Sequence, residues 1–322
     1  MKLGIDVMGG DFAPDTVIDG IILSYNEIPS DVNLVLLGPK KLIEDKLKDK
    51  NVSPDIFEIV DAKDIIGMGE SPTKVFSQKT DSSIVKGFTL IKNSKIDALI
   101  SAGNSGAMIV GALYSSKIIE GLTRPPILAH IPYENGKCGI ILDVGANTDC
   151  KPEHLLQFAV LGSVYSKVIL KIDNPKVALL NVGEEEGKGN LPVQATYQLL
   201  KDTKTVNFTG NIEGWDIFTN KADVIVCDGF TGNIILKQTE GLYRMMLKHG
   251  LTDSYFDKFN YEYHGGSPVL GVNSTIIIGH GISNPKTIKT MIFQAINTYK
   301  ADLYDKLAAA LKEIEFKNNK NN

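Results

Sequence analysis

Arginine, cysteine and long apolar runs are scarce in this sequence, and each shortage narrows what the chain can do. Arg124 and Arg244 are the only arginines, although lysine and arginine together number 34. Any phosphate recognition therefore leans on lysine and backbone N–H groups, not on bidentate arginine forks. Against 38 acidic residues the formal charge is −4, and no basic face for nucleic acid is expected. The cysteines are three, Cys138, Cys150 and Cys227, with no C-x-x-C and no His/Cys ligand spacing. An odd, scattered set excludes a disulfide framework, fits a reducing compartment, and leads us to expect no metal. No apolar run approaches the roughly 18 residues of a membrane span. The sequence opens on a strand pattern without a basic, apolar leader, so no signal peptide is expected and the reading is cytoplasmic.

Catalytic signatures are missing as well. No strand is followed by G-x-G-x-x-G, which argues against a dinucleotide enzyme and leads us to expect no cofactor. "GEEEGKGN" imitates a phosphate loop, but Gly183 and Gly187 are too close together and Lys188 is followed by Gly189, so it is not a Walker A sequence. No G-x-S-x-G elbow is present, which argues against a catalytic-triad hydrolase.

What is present is alternation. Short runs rich in Val, Ile and Leu recur: "KLGIDV", "NLVLLG", "IFEIVDA", "DALISAG", "CGIILDVG", "KVALLNVG" and "ADVIVCDG". Continuous apolar runs of this length predict strands buried on both faces. Helical spacing lies between them, over Pro14–Glu27, Pro152–Leu170 and Pro192–Asp202. Strands alternating with helices predict an α/β fold with a mostly parallel twisted sheet and helices on both faces. We read one interleaved domain over 1–322 with a small additional lobe. A long helix is expected over about 285–316, and the tail 317–322 as a frayed end. Its stripe of Ile288, Met291, Ile292, Ala295 and Ile296 reads as core or dimer packing.

Five strands end in a small-residue turn leading to a helix: "DVMGGDFAP", "LISAGNSGA", "LDVGANTDCKPEH", "NVGEEEGKGN" and "VCDGFTGN". In open parallel sheets, ligands bind at the carboxyl ends of the strands. Glycine lets backbone approach a ligand, and the next helix start offers N–H groups to an anion. Such turns also need glycine and Asx residues for purely local reasons, but five together favour a site. They put forward Gly9, Gly10, Asp11, Gly103, Asn104, Ser105, Gly106, Asn147, His154, Gly187, Gly189, Asn190, Thr231 and Gly232 as substrate-binding candidates. Lys188 is an ordinary surface lysine if its loop is merely solvated; between two glycines it can reach a ligand and offset negative charge. Asn233 reads as the start of a helix, either as a plain first-turn residue or as an amide facing an anion. Asp6, Asp11, Asp143 and Asp228 read as turn caps or lysine partners.

The tags "DVMGGDFAP", "SAGNSGA", "LDVGAN", "KPEHL", "GSVYS", "LLNVGEEEGKGN", "TGNIEG", "DGFTGN" and "HGG-P-LG", in this order and spacing, resemble the bacterial phosphate acyltransferases (PlsX-type) from about Lys2 to Thr298. The resemblance implies a fold like that of isocitrate and isopropylmalate dehydrogenases, a Rossmann-like three-layer sandwich. It implies acyl transfer from acyl carrier protein to inorganic phosphate, giving acyl phosphate for phospholipid synthesis. Implied with it are a homodimer and work beside a membrane-bound glycerol-3-phosphate acyltransferase, with no nucleic acid. Direct attack by phosphate needs no Ser or Cys intermediate. It needs position and electrostatics, roles assigned to Lys188 and Asn233 as the catalytic pair. Two departures from the family stand out. The segment "SPTKVFSQKTDSSI" lacks arginine, leaving Lys74, Lys79, Lys86 and Arg124 as candidates for docking an acidic carrier. The stretch after Asn233 is short, yet "LYRMMLKHGL" is apolar enough to touch a membrane surface or an acyl chain, or to pack in a dimer. A phosphotransacetylase-like enzyme using acyl-CoA, a dehydrogenase of the same fold and a non-catalytic scaffold remain the alternatives.

Overall fold

The computed structural model describes residues 1–318 except 252 and 260. In chain order the elements are β1 (Lys2–Asp6), α1 (Asp15–Tyr25), β2 (Asn33–Gly38), α2 (Lys40–Asp49), β3 (Glu58–Asp61), α3 (Pro72–Gln78), α4 (Ser83–Lys92), β4 (Ala98–Ser101) and α5 (Ser105–Ser115). There follow β5 (Leu128–Pro132), β6 (Cys138–Leu142), α6 (Pro152–Val168), β7 (Lys176–Leu180), α7 (Leu191–Asp202), β8 (Asn207–Ile212), β9 (Val224–Val226) and α8 (Gly229–Lys248). The chain closes with α9 (Tyr261–His264), β10 (Ser267–Pro268), β11 (Thr275–Ile278), α10 (Pro285–Lys300) and α11 (Leu303–Asn318).

By its contacts the chain falls into two compact units, each assembled from two chain segments: 1–117 with 261–300, and 118–260 with 301–322. The α/β reading holds in both. The first unit carries a six-stranded sheet in the order β10-β11-β4-β1-β2-β3, parallel except for β10. The second carries a five-stranded sheet, β5-β6-β9-β7-β8, parallel except for β5. The strands thus divide between two sheets of similar size, in place of one main sheet with a small lobe. Apolar runs reveal burial, not which sheet a strand joins.

In the first unit, side chains alternate across the sheet as a strand's period of two requires. Leu3, Ile5, Leu34, Leu36, Ala98 and Ile100 share a core with Ile18 and Ile21 of α1, Ile43 and Leu47 of α2, and Ile288, Met291 and Ile292 of α10. Met291 and Ala295 are fully buried there, so the late apolar stripe is core. On the other side α4 comes down so closely that a Cβ on Gly87 would stand 2.8 Å from Leu99 and 3.0 Å from Leu37. In the second unit α6 packs on β6 and β9 in the same way, where a Cβ on Gly162 would meet Val224 at 2.5 Å.

The single helix expected over 285–316 is two helices. α10 ends at Lys300, and Asp302 adopts φ +49°, which breaks the helical path before α11. An apolar stripe in helical register on both sides conceals a one-residue reversal. Of the tail, 319–322 lies outside the described residues.

Candidate active site

Three parallel strands of the second unit, β6, β9 and β7, lie side by side, and their carboxyl ends carry three of the five turns. The turn after β6 is built around Asp143. This carboxylate is fully buried and accepts hydrogen bonds from the N–H groups of Ile127, Ala146 and Asn147 and from Asn147 Nδ2. Burial raises its pKa above the ordinary carboxylate value, and these bonds oppose the rise. Asn147 also donates to Pro125 O, while its own carbonyl receives Gly229 N at 2.7 Å. The start of α8 therefore lies directly on this turn. A Cβ at Gly229 would stand 2.8 Å from Asn147 O, and one at Gly232 would stand 2.0 Å from Asp143 O. Asp228 caps the helix, its two carboxylate oxygens taking Thr231 N and Thr231 Oγ1.

The turn after β7 is held differently, by three side-chain amides acting on its carbonyls. Asn211 Nδ2, from β8, donates to Glu185 O at 3.0 Å and Glu184 O at 3.4 Å. Gln194 Nε2, from α7, donates to Gly187 O at 2.9 Å and Gly189 O at 3.0 Å. Asn181 Nδ2, at the end of β7, donates to Lys188 O at 3.1 Å. A trans peptide sets each carbonyl opposite the next residue's N–H. Fastening the carbonyls of Lys188 and Gly189 thus turns the N–H groups of Gly189 and Asn190 away from the amides. Among the described residues these two N–H groups have no protein acceptor. Asn190 then caps α7 by accepting Val193 N, so the outward N–H groups sit at a helix start, where the dipole favours an anion.

Lys188 rides this loop with its side chain half exposed, its Nζ 3.9 Å from Glu185 Oε2, a loose contact. The neighbouring acids are occupied elsewhere: Glu184 pairs with Lys221, and Glu186 with Lys201. A cavity of about 180 Å³ lies between the ends of β7 and β9, and its lining mixes polar Asn181, Asn190, Asp228 and Thr231 with aliphatic residues such as Leu180 and Val193. That volume suits a small ion, not a long acyl chain.

In the first unit the turns after β1, β4 and β11 meet at the place where strand order reverses around β1. Asp6 is buried there, accepting Ser101 Oγ at 2.6 Å and Met8 N at 3.0 Å. Gly103 N donates to Ser101 Oγ, and Asp11 N to Gly281 O at 2.7 Å. A Cβ on Gly9 would stand 2.6 Å from Asp6 Oδ2 and 2.8 Å from Gly103 N, so only glycine fits where these turns pack together.

The chain matches the family described as "Fatty acid synthesis protein" over residues 1–306. It is 40% identical over 319 residues to the phosphate acyltransferase of Syntrophomonas wolfei, covering 98% of this chain and 99% of that one. It is 37% identical over 340 residues to the phosphate acyltransferase of Clostridium perfringens, covering both chains fully. The chain belongs to the phosphate acyltransferase family. Its fold is similar to that of a phosphotransacetylase from Streptococcus pyogenes, with a TM-score of 0.62, 17% identity and coverage of 97% and 94%. A branched-chain phosphotransacylase from Enterococcus faecalis V583 aligns at TM-score 0.58 and 12% identity, over 92% of this chain and 98% of that one.

Within this phosphate acyltransferase the expected site residues fall into two groups. Gly9, Gly10, Asp11, Gly103, Asn104, Ser105 and Gly106 belong to the first unit; Asn147, His154, Gly187, Lys188, Gly189, Asn190, Thr231, Gly232 and Asn233 belong to the second. Several are turned inward. Asn104 donates to the carbonyls of Gly67, Met68 and Glu70, and its Oδ1 caps α5 through Ala107 N. Gly106 faces Pro72, 2.4 Å from where a Cβ would be. His154 Nδ1 accepts Lys151 N at the start of α6, and Asn147 braces Asp143. Asp11, Ser105, Gly187, Lys188 and Asn190 are exposed.

One placement changes. α8 begins at Gly229, four residues before Asn233, because Asp228 supplies the cap. Asn233 is the fifth helical residue, so its own N–H lies within the helical ladder and only its side-chain amide is left for chemistry. That amide lies beside Gly145 in the β6 turn, 3.6 Å from where a Cβ would be. Among the proposed docking cations, Lys79 pairs with Glu70, Lys86 with Asp81, and Arg124 donates to Asp149 O. Sequence reasoning passed over Asn181, Gln194 and Asn211. Their signal was faint: three amides flanking one glycine-rich loop.

Proposed function

We propose that the chain transfers a fatty acyl group from acyl carrier protein to inorganic phosphate. A phosphate oxygen attacks the thioester carbonyl carbon and forms the new C–O bond. The tetrahedral intermediate then expels the carrier sulfur, which leaves with the C–S electron pair and takes a proton from solvent. The products are acyl phosphate and free carrier. Phosphate is already an anionic nucleophile, so the protein's work is positioning and charge stabilisation.

The observation that carries this reading is the Glu184–Gly189 loop. Its carbonyls are drawn inward by three amides, its outward N–H groups open a helix, and a half-exposed lysine sits among them. Lys188 and the N–H groups of Gly189 and Asn190 hold phosphate, and the lysine offsets charge in the transition state. Asn233 orients phosphate or donates to the developing oxyanion. The names of the relatives at about 40% identity support phosphate as the acceptor. The fatty acyl donor, the homodimer, the cytoplasmic location and hand-off of acyl phosphate to a membrane-bound glycerol-3-phosphate acyltransferase extend that reading. Among the described residues no helix is long and apolar enough to cross a membrane. Peripheral contact is supported by exposed Phe230, Ile234, Leu242 and Met245 on α8.

Acyl-phosphate formation by Lys188→Ala and Asn233→Ala proteins tests the assignment. Removing a donor of this kind costs roughly 100–1,000-fold in rate. If both folded variants keep near wild-type turnover, the assignment fails. Replacing the carrier thioester by the coenzyme A thioester tests the donor, with the carrier form predicted to react faster.

A further inference from the structure

We infer that Gln194 is a positioning residue for phosphate, acting through the loop that bears Lys188; the inference rests on the reading of that loop as the phosphate site. One Nε2 group donates to both carbonyls that flank Lys188, Gly187 O at 2.9 Å and Gly189 O at 3.0 Å. Both protons of the amide are thereby used on two peptide groups two residues apart. Glycine at 187 and 189 leaves the loop many conformations, and Gly189 is held at φ +91°. Without Gln194 nothing side-chain-based fastens the Gly189 carbonyl among the described residues, and that carbonyl sets the direction of the Asn190 N–H. Asn181 fastens the Lys188 carbonyl in between, at 3.1 Å. Gln194 is in the first turn of α7, only half buried, so replacing it empties no core. Its cost falls on where the N–H groups and Lys188 point.

The test is steady-state kinetics of acyl-phosphate formation with inorganic phosphate and a long-chain acyl carrier protein thioester. Wild type, Gln194→Met, Gln194→Glu and Lys188→Ala are compared, with melting temperatures as folding controls. Gln194→Met keeps length and loses both donors. It is expected to raise the phosphate KM at least tenfold while the thioester KM stays within twofold. Gln194→Glu sets a carboxylate against two carbonyls. Only its protonated form returns one donor, so its phosphate KM relative to wild type is expected to fall as pH is lowered. If Gln194→Met melts earlier but its phosphate KM stays within twofold of wild type while Lys188→Ala raises that KM, Gln194 is merely structural and the inference is overturned. If Lys188→Ala also leaves phosphate use unchanged, the loop is not the phosphate site and the underlying reading falls with it. An absence of pH recovery in Gln194→Glu also counts against the inference, because a donor is what the position is said to require.

Discussion

Gly232 and Gly241 stand in the same helix and predict opposite responses to one methyl group. A Cβ at Gly232 would lie 2.0 Å from Asp143 O, a backbone atom that cannot swing aside. Gly232→Ala is expected to destabilise the protein by ~1–3 kcal/mol or more, read as a lowered denaturation midpoint. Gly241 has nothing within 4 Å, so Gly241→Ala should stabilise it by ~0.5–1 kcal/mol through helix propensity alone. His154 makes a pH prediction. Burial first, and Arg124 second, hold its pKa below the ordinary 6.5, and its Nδ1 must stay unprotonated to accept Lys151 N. A depressed folded pKa gives stability that is complete above 6.5 and lost as pH falls through the folded value. A His154→Gln protein should therefore lose less stability than wild type as pH falls below about 6.5, and an imidazole titrating at or above 6.5 by NMR would contradict this. At this scale the sequence was half legible. Asp143 and Asp228 were readable as turn caps. Asn104 and Asn147 read as ligand candidates from their turns, and what the sequence did not show is that their amides also brace the fold, Asn104 on the carbonyls of Gly67, Met68 and Glu70 and Asn147 on Asp143.

Among elements, the seven strands read from apolar runs are all present, and of the other four, β5, β8 and β10 each lie at an edge of their sheet while β11 lies inside it. An edge strand is paired on one side only, so its sequence need not be uniformly apolar. "LAHIP" carries a proline, and "NFTGNI" carries Gly210 at φ +100°. The break between α10 and α11 was hidden for a related reason: periodicity counts side chains, while the break is one backbone angle at Asp302. A left-handed conformation is costly for a residue with a Cβ. Asp302→Gly is expected to be neutral or stabilising by up to ~1 kcal/mol, and Asp302→Val destabilising, in thermal melts. The cap of α7 is another element-scale test. Asn190→Ala removes the acceptor for Val193 N and should cost about 1 kcal/mol.

For the whole molecule, the ordered set of turns identified the family before any geometry, because each tag is a backbone requirement that few other residues satisfy. Gly9 shows why: it is set against Asp6 and Gly103 with no room for a side chain. Sequence did not reveal that these turns divide between two units, since strand order is a property of the folded chain. Nor did it reveal how tightly the glycine turns of the first unit pack on one another, or that the second unit presents an exposed loop with Lys188. The central claim is that this second loop binds phosphate for attack on a fatty acyl thioester. The most direct measurement is hydroxylamine trapping of acyl phosphate from purified protein, long-chain acyl carrier protein and inorganic phosphate, run with wild type and Lys188→Ala. The account predicts phosphate-dependent product from wild type, reduced roughly 100–1,000-fold in the variant. Thioester loss without trapped acyl phosphate, or equal product from the folded variant, would contradict it.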